Sequence, residues 1–429
     1  MKKIVKSYLF LVFAFCFSYF VLFNDSLFAI DNVDSFSNNL ISMIKEHQGE
    51  NNVNEEGYTS KRLIVESNEE IDCDSAIDFI REDNVYVLQY ASEEDARNAY
   101  LHYSSLNYVD AVEYDITLEV NSINNGELFY YSWGAEEVGA QDYSEYLMSN
   151  IGSNNLKEVV IAVLDTGIDT DHDWFKNRIA SGGVNFSISS SSSSYQYEDV
   201  HGHGTHASGI ITDLTFSNVK ILPVKVLNDS GEGNTSLILK GIEYVIEKKK
   251  EGMNIVAMNL SLGSDGVSVG SYWHTKFTEA IEEAYNLGIL TIAAAGNGVK
   301  SGNTYIGIDV SNTLPANVSK SITISAVQQS VSTPLRSTYS NYGKYIDYSA
   351  PGTYIDSAGV GGGTIYKSGT SMAAPHVSAV IALLYSDSSV NYSVSAVEKI
   401  LKENAIDLGE VGFDNYYGNG LINIKNVNI

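Results

Sequence analysis

Five short apolar runs, at residues 159–164, 219–227, 255–262, 290–295 and 322–327, constrain this chain more than any other feature. A strand with one wet face alternates apolar and polar residues. Runs this continuous read instead as strands buried on both faces. Helical spacing intervenes at 236–249, 277–287, 372–385 and 394–404. Strand and helix in alternation imply an α/β fold, a parallel sheet with helices on both faces, from about residue 130 to 429. The serine-rich stretch 187–194 reads as a loop insertion.

The chain ahead of residue 130 has a different pattern. Residues 62–66 alternate as a strand, 75–81 suit a helix, and 85–90 suit a strand. Residues 92–106 have helical spacing with acids in the first turn, and 109–120 alternate again. This β-α-β-α-β order predicts a small α+β domain of ferredoxin-like type. Residues 31–57, rich in Asn, Glu and Ser, read as a linker, with a short helix near 41–44. The first 29 residues carry Lys2, Lys3 and Lys6, then an apolar run over 8–23 and a small residue at Ala29. That is the pattern of a secretory signal peptide cut after Ala29; an uncleaved membrane anchor is the rival reading.

Charge and cysteine content narrow the function classes. The chain has 53 Asp and Glu against 26 Lys and Arg, a formal net charge of −27. A nucleic-acid binder needs a basic face, so that class is excluded, as is binding to an anionic membrane. The two cysteines, Cys16 and Cys73, supply neither a disulfide framework nor a cysteine zinc cluster.

Three motifs fall at strand ends or helix starts. The first apolar run ends at Asp165-Thr166-Gly167, at the edge where open α/β sheets place ligands. His201-Gly202-His203-Gly204-Thr205-His206 puts three histidines within six residues. That density admits a metal reading, although no cysteine joins them. Ser368-Gly369-Thr370-Ser371 opens a long apolar helix, where unpaired N–H groups and the dipole favour an oxyanion. Taken singly, these are a turn-forming Asp, a histidine cluster and a helix cap. Together they supply a nucleophile, a base to take its proton and an acid to orient that base.

The chain order Asp165, His203, Ser371 and the residues around each resemble the subtilisin-like serine proteases, the subtilases. The likeness extends to Gly369-Thr370-Ser371-Met372-Ala373-Ala374-Pro375-His376, Asn259-Leu260-Ser261-Leu262-Gly263, Ala293-Ala294-Ala295-Gly296-Asn297 and Tyr417-Gly418-Asn419-Gly420-Leu421-Ile422-Asn423. The resemblance implies a secreted serine endopeptidase acting through an acyl-enzyme. Ser371 would be the nucleophile, His203 the base and Asp165 its orienting acid. Asn297 would be an oxyanion donor, and Ser261, Leu262 and Gly263 the edge that pairs with peptide substrate. His201, His206 and His376 would be structural. The N-terminal part resembles, more loosely, the family's inhibitory propeptide, so that residues 30–121 would cap the site until the chain cuts itself near Asn121. The catalytic domain would then be 122–429.

The resemblance also frames what is open. Between Arg97 and Lys157 there is no Lys or Arg, so a self-cut at that junction would not follow a basic residue. Against this, Asp309 lies after Asn297, where the family builds its first specificity pocket. The stretch 209–219 offers only Asp213 and Asn218 as carboxylate or amide ligands, too few for the family's tight calcium site, and no cofactor is expected. The partners expected are peptide or protein substrate and the chain's own propeptide. No stable membrane span is expected once the signal is removed. A dedicated leader-peptide-type maturation enzyme, a metal-dependent hydrolase built on the histidines, and a non-catalytic relative remain alternatives.

Overall fold

The computed structural model describes residues 61–427, apart from 74, 83, 116, 121–122, 125–132, 188–196, 303 and 332. The signal-like segment, Cys16, the linker and nearly all of the serine-rich loop lie outside the described residues. From Ser60 onward the chain forms one compact unit.

Its N-terminal part is an antiparallel sheet of β1 (Arg62–Ser67), β2 (Asp78–Glu82), β3 (Val85–Gln89) and β4 (Val109–Tyr114), in the order β2-β3-β1-β4. One helix, α1 (Glu93–Ser104), packs on it. Ser92 caps α1 by accepting from Asp95 N, and Ala96, Ala99 and Tyr103 are its buried face. The helix expected at 75–81 is absent. Residues 78–82 form β2, because a tight turn after Glu82 folds them back onto β3, with Glu82 opposite Val85. A strand that can close such a ladder outcompetes a weak helical period. The single strand expected at 109–120 is also divided. It breaks at Asp115 into β4 and a separate strand, β5 (Thr117–Val120), and β6 (Ile123–Asn124) follows.

The larger part contains β7 (Val159–Asp165), β8 (Val184–Asn185), β9 (Val219–Lys225), β10 (Glu232–Asn234), β11 (Ile255–Leu260), β12 (Leu262–Asp265), β13 (Leu290–Ala294), β14 (Val299–Ser301), β15 (Thr304–Ile306), β16 (Thr313–Leu314), β17 (Ser321–Gln328), β18 (Leu335–Arg336), β19 (Tyr348–Pro351), β20 (Ile355–Ala358) and β21 (Thr364–Ser368). Its main sheet runs β18-β17-β13-β11-β7-β9-β8, with β19 beside β17, and only β18 is antiparallel. The helices are α2 (Trp133–Glu137), α3 (Ala140–Asn150), α4 (His203–Asp213), α5 (Thr235–Lys250), α6 (Tyr272–Asn286), α7 (Thr370–Ser386) and α8 (Val394–Asn404). The apolar runs of the sequence are thus its central strands.

The strand β7 shows why those runs are continuous. All seven of its residues are buried. Val159, Ile161 and Val163 join a core with α4 and α7 on one face. Val160, Ala162 and Leu164 join a second core with α5 and α6 on the other. From β7 the chain moves to β9 on one side, then returns to β11 on the other. Such a reversal of strand order opens a crevice at the carboxyl ends of β7 and β11, where ligands bind in sheets of this kind. Asp165 ends β7, and Ser261 follows β11. Ile64 of the N-terminal sheet reaches into the second core, so the two parts share apolar burial. Among the described residues, no helix is long and apolar enough to cross a membrane.

Candidate active site

At the crevice, Asp165 and His203 meet. His203 Nδ1 lies 2.7 Å from Asp165 Oδ1, and both side chains are fully buried. The same Oδ1 accepts from Thr166 N at 2.7 Å. A carboxylate can only accept, so the proton between them sits on His203 Nδ1. The other ring nitrogen, Nε2, carries the lone pair and makes no hydrogen bond. That tautomer is the one a general base needs.

The close approach of α4 to the end of β7 depends on glycine. A Cβ at Gly204 would sit 2.3 Å from the Gly167 carbonyl oxygen, and Gly167 has φ +113°. Thr166 Oγ1 accepts from Gly204 N at 2.9 Å and donates to Asp199 at 2.9 Å. Asp199 also accepts from Gly202 N at 2.8 Å, Thr205 N at 2.8 Å and Thr205 Oγ1 at 2.7 Å. Burial pushes the Asp199 carboxyl up, but these bonds outweigh it and hold the group below the ordinary carboxylate range. Asp199 therefore locks the Asp165 turn to the His203 helix. Sequence reasoning missed it; its only signal was an acid two residues ahead of the histidine motif.

Ser371 stands in the first turn of α7, after Gly369, and is fully buried. Its hydroxyl donates to the Ser261 carbonyl at 2.8 Å, so the nucleophile expected from sequence is parked there rather than on His203. In return, Ser261 Oγ donates to the Ser371 carbonyl at 2.8 Å. Pro375 explains this exchange. It lies four residues beyond Ser371 and has no N–H to close that turn of the helix, so a side chain must satisfy the carbonyl. Behind Ser261, Asn259 Nδ2 donates to Ser261 Oγ at 2.9 Å, and Ser378 Oγ donates to Asn259 Oδ1 at 3.0 Å.

Asn297 is half-buried beside α7. Its Oδ1 accepts from Thr370 N at 2.9 Å and from Thr370 Oγ1 at 3.1 Å. Thr370 Oγ1 in turn accepts from Gly296 N at 3.0 Å. With its oxygen held by Thr370, the planar amide turns its NH₂ the other way. A Cβ at Gly296 would meet Asn341 Nδ2 at 2.5 Å, which explains the glycine there. Asp309, the acid considered for a specificity pocket, is exposed and caps a turn by accepting from Ser311 N at 2.8 Å.

The remaining histidines have separate partners. His206 Nε2 donates to the carbonyls of Ile365 and Ile355, at 2.9 and 3.1 Å. Complete burial drives its imidazole well below its ordinary range. His376 Nδ1 donates to Met372 O at 2.8 Å, and burial pushes it down to about 4. The His201 ring lies 6.3 Å from that of His203 and is held low by burial, His203 and Lys367. Among the described residues, no group of three or more His, Cys, Asp or Glu is placed to hold a metal ion. Asn218, one of the two calcium candidates, donates its amide to Lys157 O and Ser386 Oγ. Burial and Asp356 raise the carboxyl of the other, Asp213.

The chain itself lies across this site. The strand β5 is sandwiched antiparallel between β12 and β10. Val120 is opposite Leu262, Glu119 opposite Gly263, and Leu118 opposite Gly233. Two residues further on, β6 pairs with β21, with Ile123 opposite Ser368 and Asn124 opposite Lys367. Leu262–Gly263 and Lys367–Ser368 therefore pair with successive stretches of the same chain, β5 and β6.

A family model described as the subtilase family matches residues 156–420. The chain is 34% identical to Subtilisin-like protease 1 of Pseudogymnoascus destructans over 61% of this chain and 61% of that protein. It is 36% identical to the Thermostable alkaline protease of Halalkalibacterium halodurans, over 61% of this chain and 65% of that protein. It is 33% identical to Subtilisin DY of Bacillus licheniformis, over 68% of this chain and 94% of that protein. The chain thus spans about three fifths to two thirds of the length of the first two. The buried Asp165–His203 pair, the serine at the mouth of α7 and these matches lead to one conclusion: the chain belongs to the subtilase family.

Proposed function

We propose that this protein is an exported serine endopeptidase made as a self-inhibited precursor. One observation carries the reading: strands of the chain's own pair with β12, just after Ser261, and with β21, just ahead of Ser371, as a peptide substrate would. In the proposed reaction, Ser371 Oγ leaves the Ser261 carbonyl and attacks the substrate carbonyl carbon, while His203 Nε2 takes its proton. The negative charge on the substrate oxygen is held by the Asn297 amide NH₂ and the Ser371 N–H. The C–N bond then breaks, His203 gives its proton to the leaving amine, and an acyl-serine remains. Water repeats the sequence, with His203 as base and then acid, and frees Ser371. Asp165 holds the imidazole in its Nδ1–H tautomer and stabilises its charge throughout.

In this reading residues 30–121 are the inhibitory segment, and its first substrate is the bond between Asn121 and Ser122. Those two residues stand between the paired strands β5 and β6. The signal-like first 29 residues support export. The test is intact mass and N-terminal sequencing of wild type against Ser371→Ala. Wild type should begin at Ser122, and the variant should stay a precursor. Identical processing of both would overturn self-cleavage and Ser371 as nucleophile.

A further inference from the structure

The N-terminus of α5 holds a carboxylate that the helix does not itself supply. Its N-cap residue, Asn234, makes no side-chain cap bond. Asp115 does so from outside. It is fully buried, and accepts from Thr235 Oγ1 at 2.8 Å, Ser236 N at 3.1 Å and Ser236 Oγ at 2.7 Å. Arg62 of the N-terminal sheet adds a bond from Nε at 3.0 Å. A second acid of that sheet, Glu66, pairs with Lys276 of α6 at 3.3 Å. A cavity of about 300 Å³ separates these two contacts, lined by Ile64, Val87, Leu239 and Trp273 among others.

Asp115 is continuous with the strand in the cleft. Thr117, two residues after Asp115, pairs with Asn234, the residue just ahead of α5, so the cleft pairing and the carboxylate are neighbours in the chain. When the N-terminal part departs, Arg62 and Glu66 depart with it. Two hydroxyls, a helix N-terminus and the Lys276 ammonium remain on the larger part. All favour a negative group, in a chain whose formal charge is −27.

We infer that the mature enzyme reads an acidic side chain six residues ahead of the residue whose carbonyl is cut, through Thr235, Ser236 and the first turn of α5. The inference rests on the proposed protease reading and adds a substrate class to it: polypeptide segments acidic well upstream of the cut, engaged through the edge that β5 fills in the precursor.

The test uses enzyme obtained by full-length expression and its own processing, with quenched fluorescent peptides copying residues 115–124. One peptide carries Asp at the first position, one carries Asn, and a short one starts at Thr117. kcat/KM for the Asp peptide should exceed that for the Asn peptide by about tenfold, the worth of a charge-assisted hydrogen bond. The ratio should approach one in a Thr235→Val/Ser236→Ala double variant; taking it within each enzyme removes any general loss of activity. Equal rates on the Asp and Asn peptides, with the short one cut, would overturn the acid site alone. A preference that survives the double variant would overturn its assignment to α5. If wild type cuts none of the peptides, the protease reading fails and the inference with it.

Discussion

His376 shows how a single residue can set a pH limit. It is buried, its Nδ1 is bound to Met372 O, and its imidazole is held down to about 4. Unfolded, it would titrate near 6.5. Between those values the unfolded chain binds a proton that the folded chain refuses, so stability present above pH 6.5 is lost as pH falls toward 4. The full effect is about 3 kcal/mol. Asp347, whose carboxyl burial raises to about 7, acts in the opposite sense over the same range. The expectation therefore concerns a difference between proteins. The melting temperature of Ser371→Ala should fall more between pH 7 and 4.5 than that of Ser371→Ala/His376→Asn. Parallel curves would show that His376 is not held neutral. Sequence marked Asp165, His203 and Ser371 because each stands where a strand ends or a helix starts. It did not mark Asp199, because nothing local shows that an acid will be buried on four donors.

Secondary-structure elements bring the site together by close approach, which makes glycine a geometric requirement of the site. At Gly204 an added methyl would strike the Gly167 carbonyl, and backbone on both sides would have to move. We expect Gly204→Ala to keep a native far-UV circular dichroism spectrum and to slow conversion of precursor to product on the order of 10²-fold, the effect of a misplacement of about 1 Å. An unchanged conversion rate would mean that α4 has slack the packing does not suggest. The same scale explains what could be read in advance. β7, β9, β11, β13 and β17 announced themselves because a strand buried on both faces has no polar positions. β2 did not, since Ile77 and Phe79 remain exposed and the strand exists through its hairpin with β3. The division of 109–120 was equally hidden: alternation is the same in both halves, and only Asp115, turned to α5, marks the break.

At the scale of the whole molecule, one of the polar bonds that seat the N-terminal sheet ends on a fluorescent side chain. Trp273 is buried, and its Nε1 donates to Tyr114 O at 2.8 Å. It is one of three tryptophans in the chain. Loss of the N-terminal part would expose that edge of the indole to water. Tryptophan emission should therefore shift to the red as the wild-type precursor is processed and its fragment is diluted away, and a Trp273→Phe chain should lack the shift. Emission that stays fixed in wild type would show the fragment still seated after the cut.

The strands on either side of residues 121 and 122 belong to different sheets, β5 with β10 and β12, β6 with β20 and β21. A single break there would therefore sort the chain into two parcels with separate moorings. After the proposed cut, whatever is fused ahead of Arg62 would travel with the piece that leaves. An amino terminus made by the proposed cut would already be berthed on β21, on the side of the piece that stays.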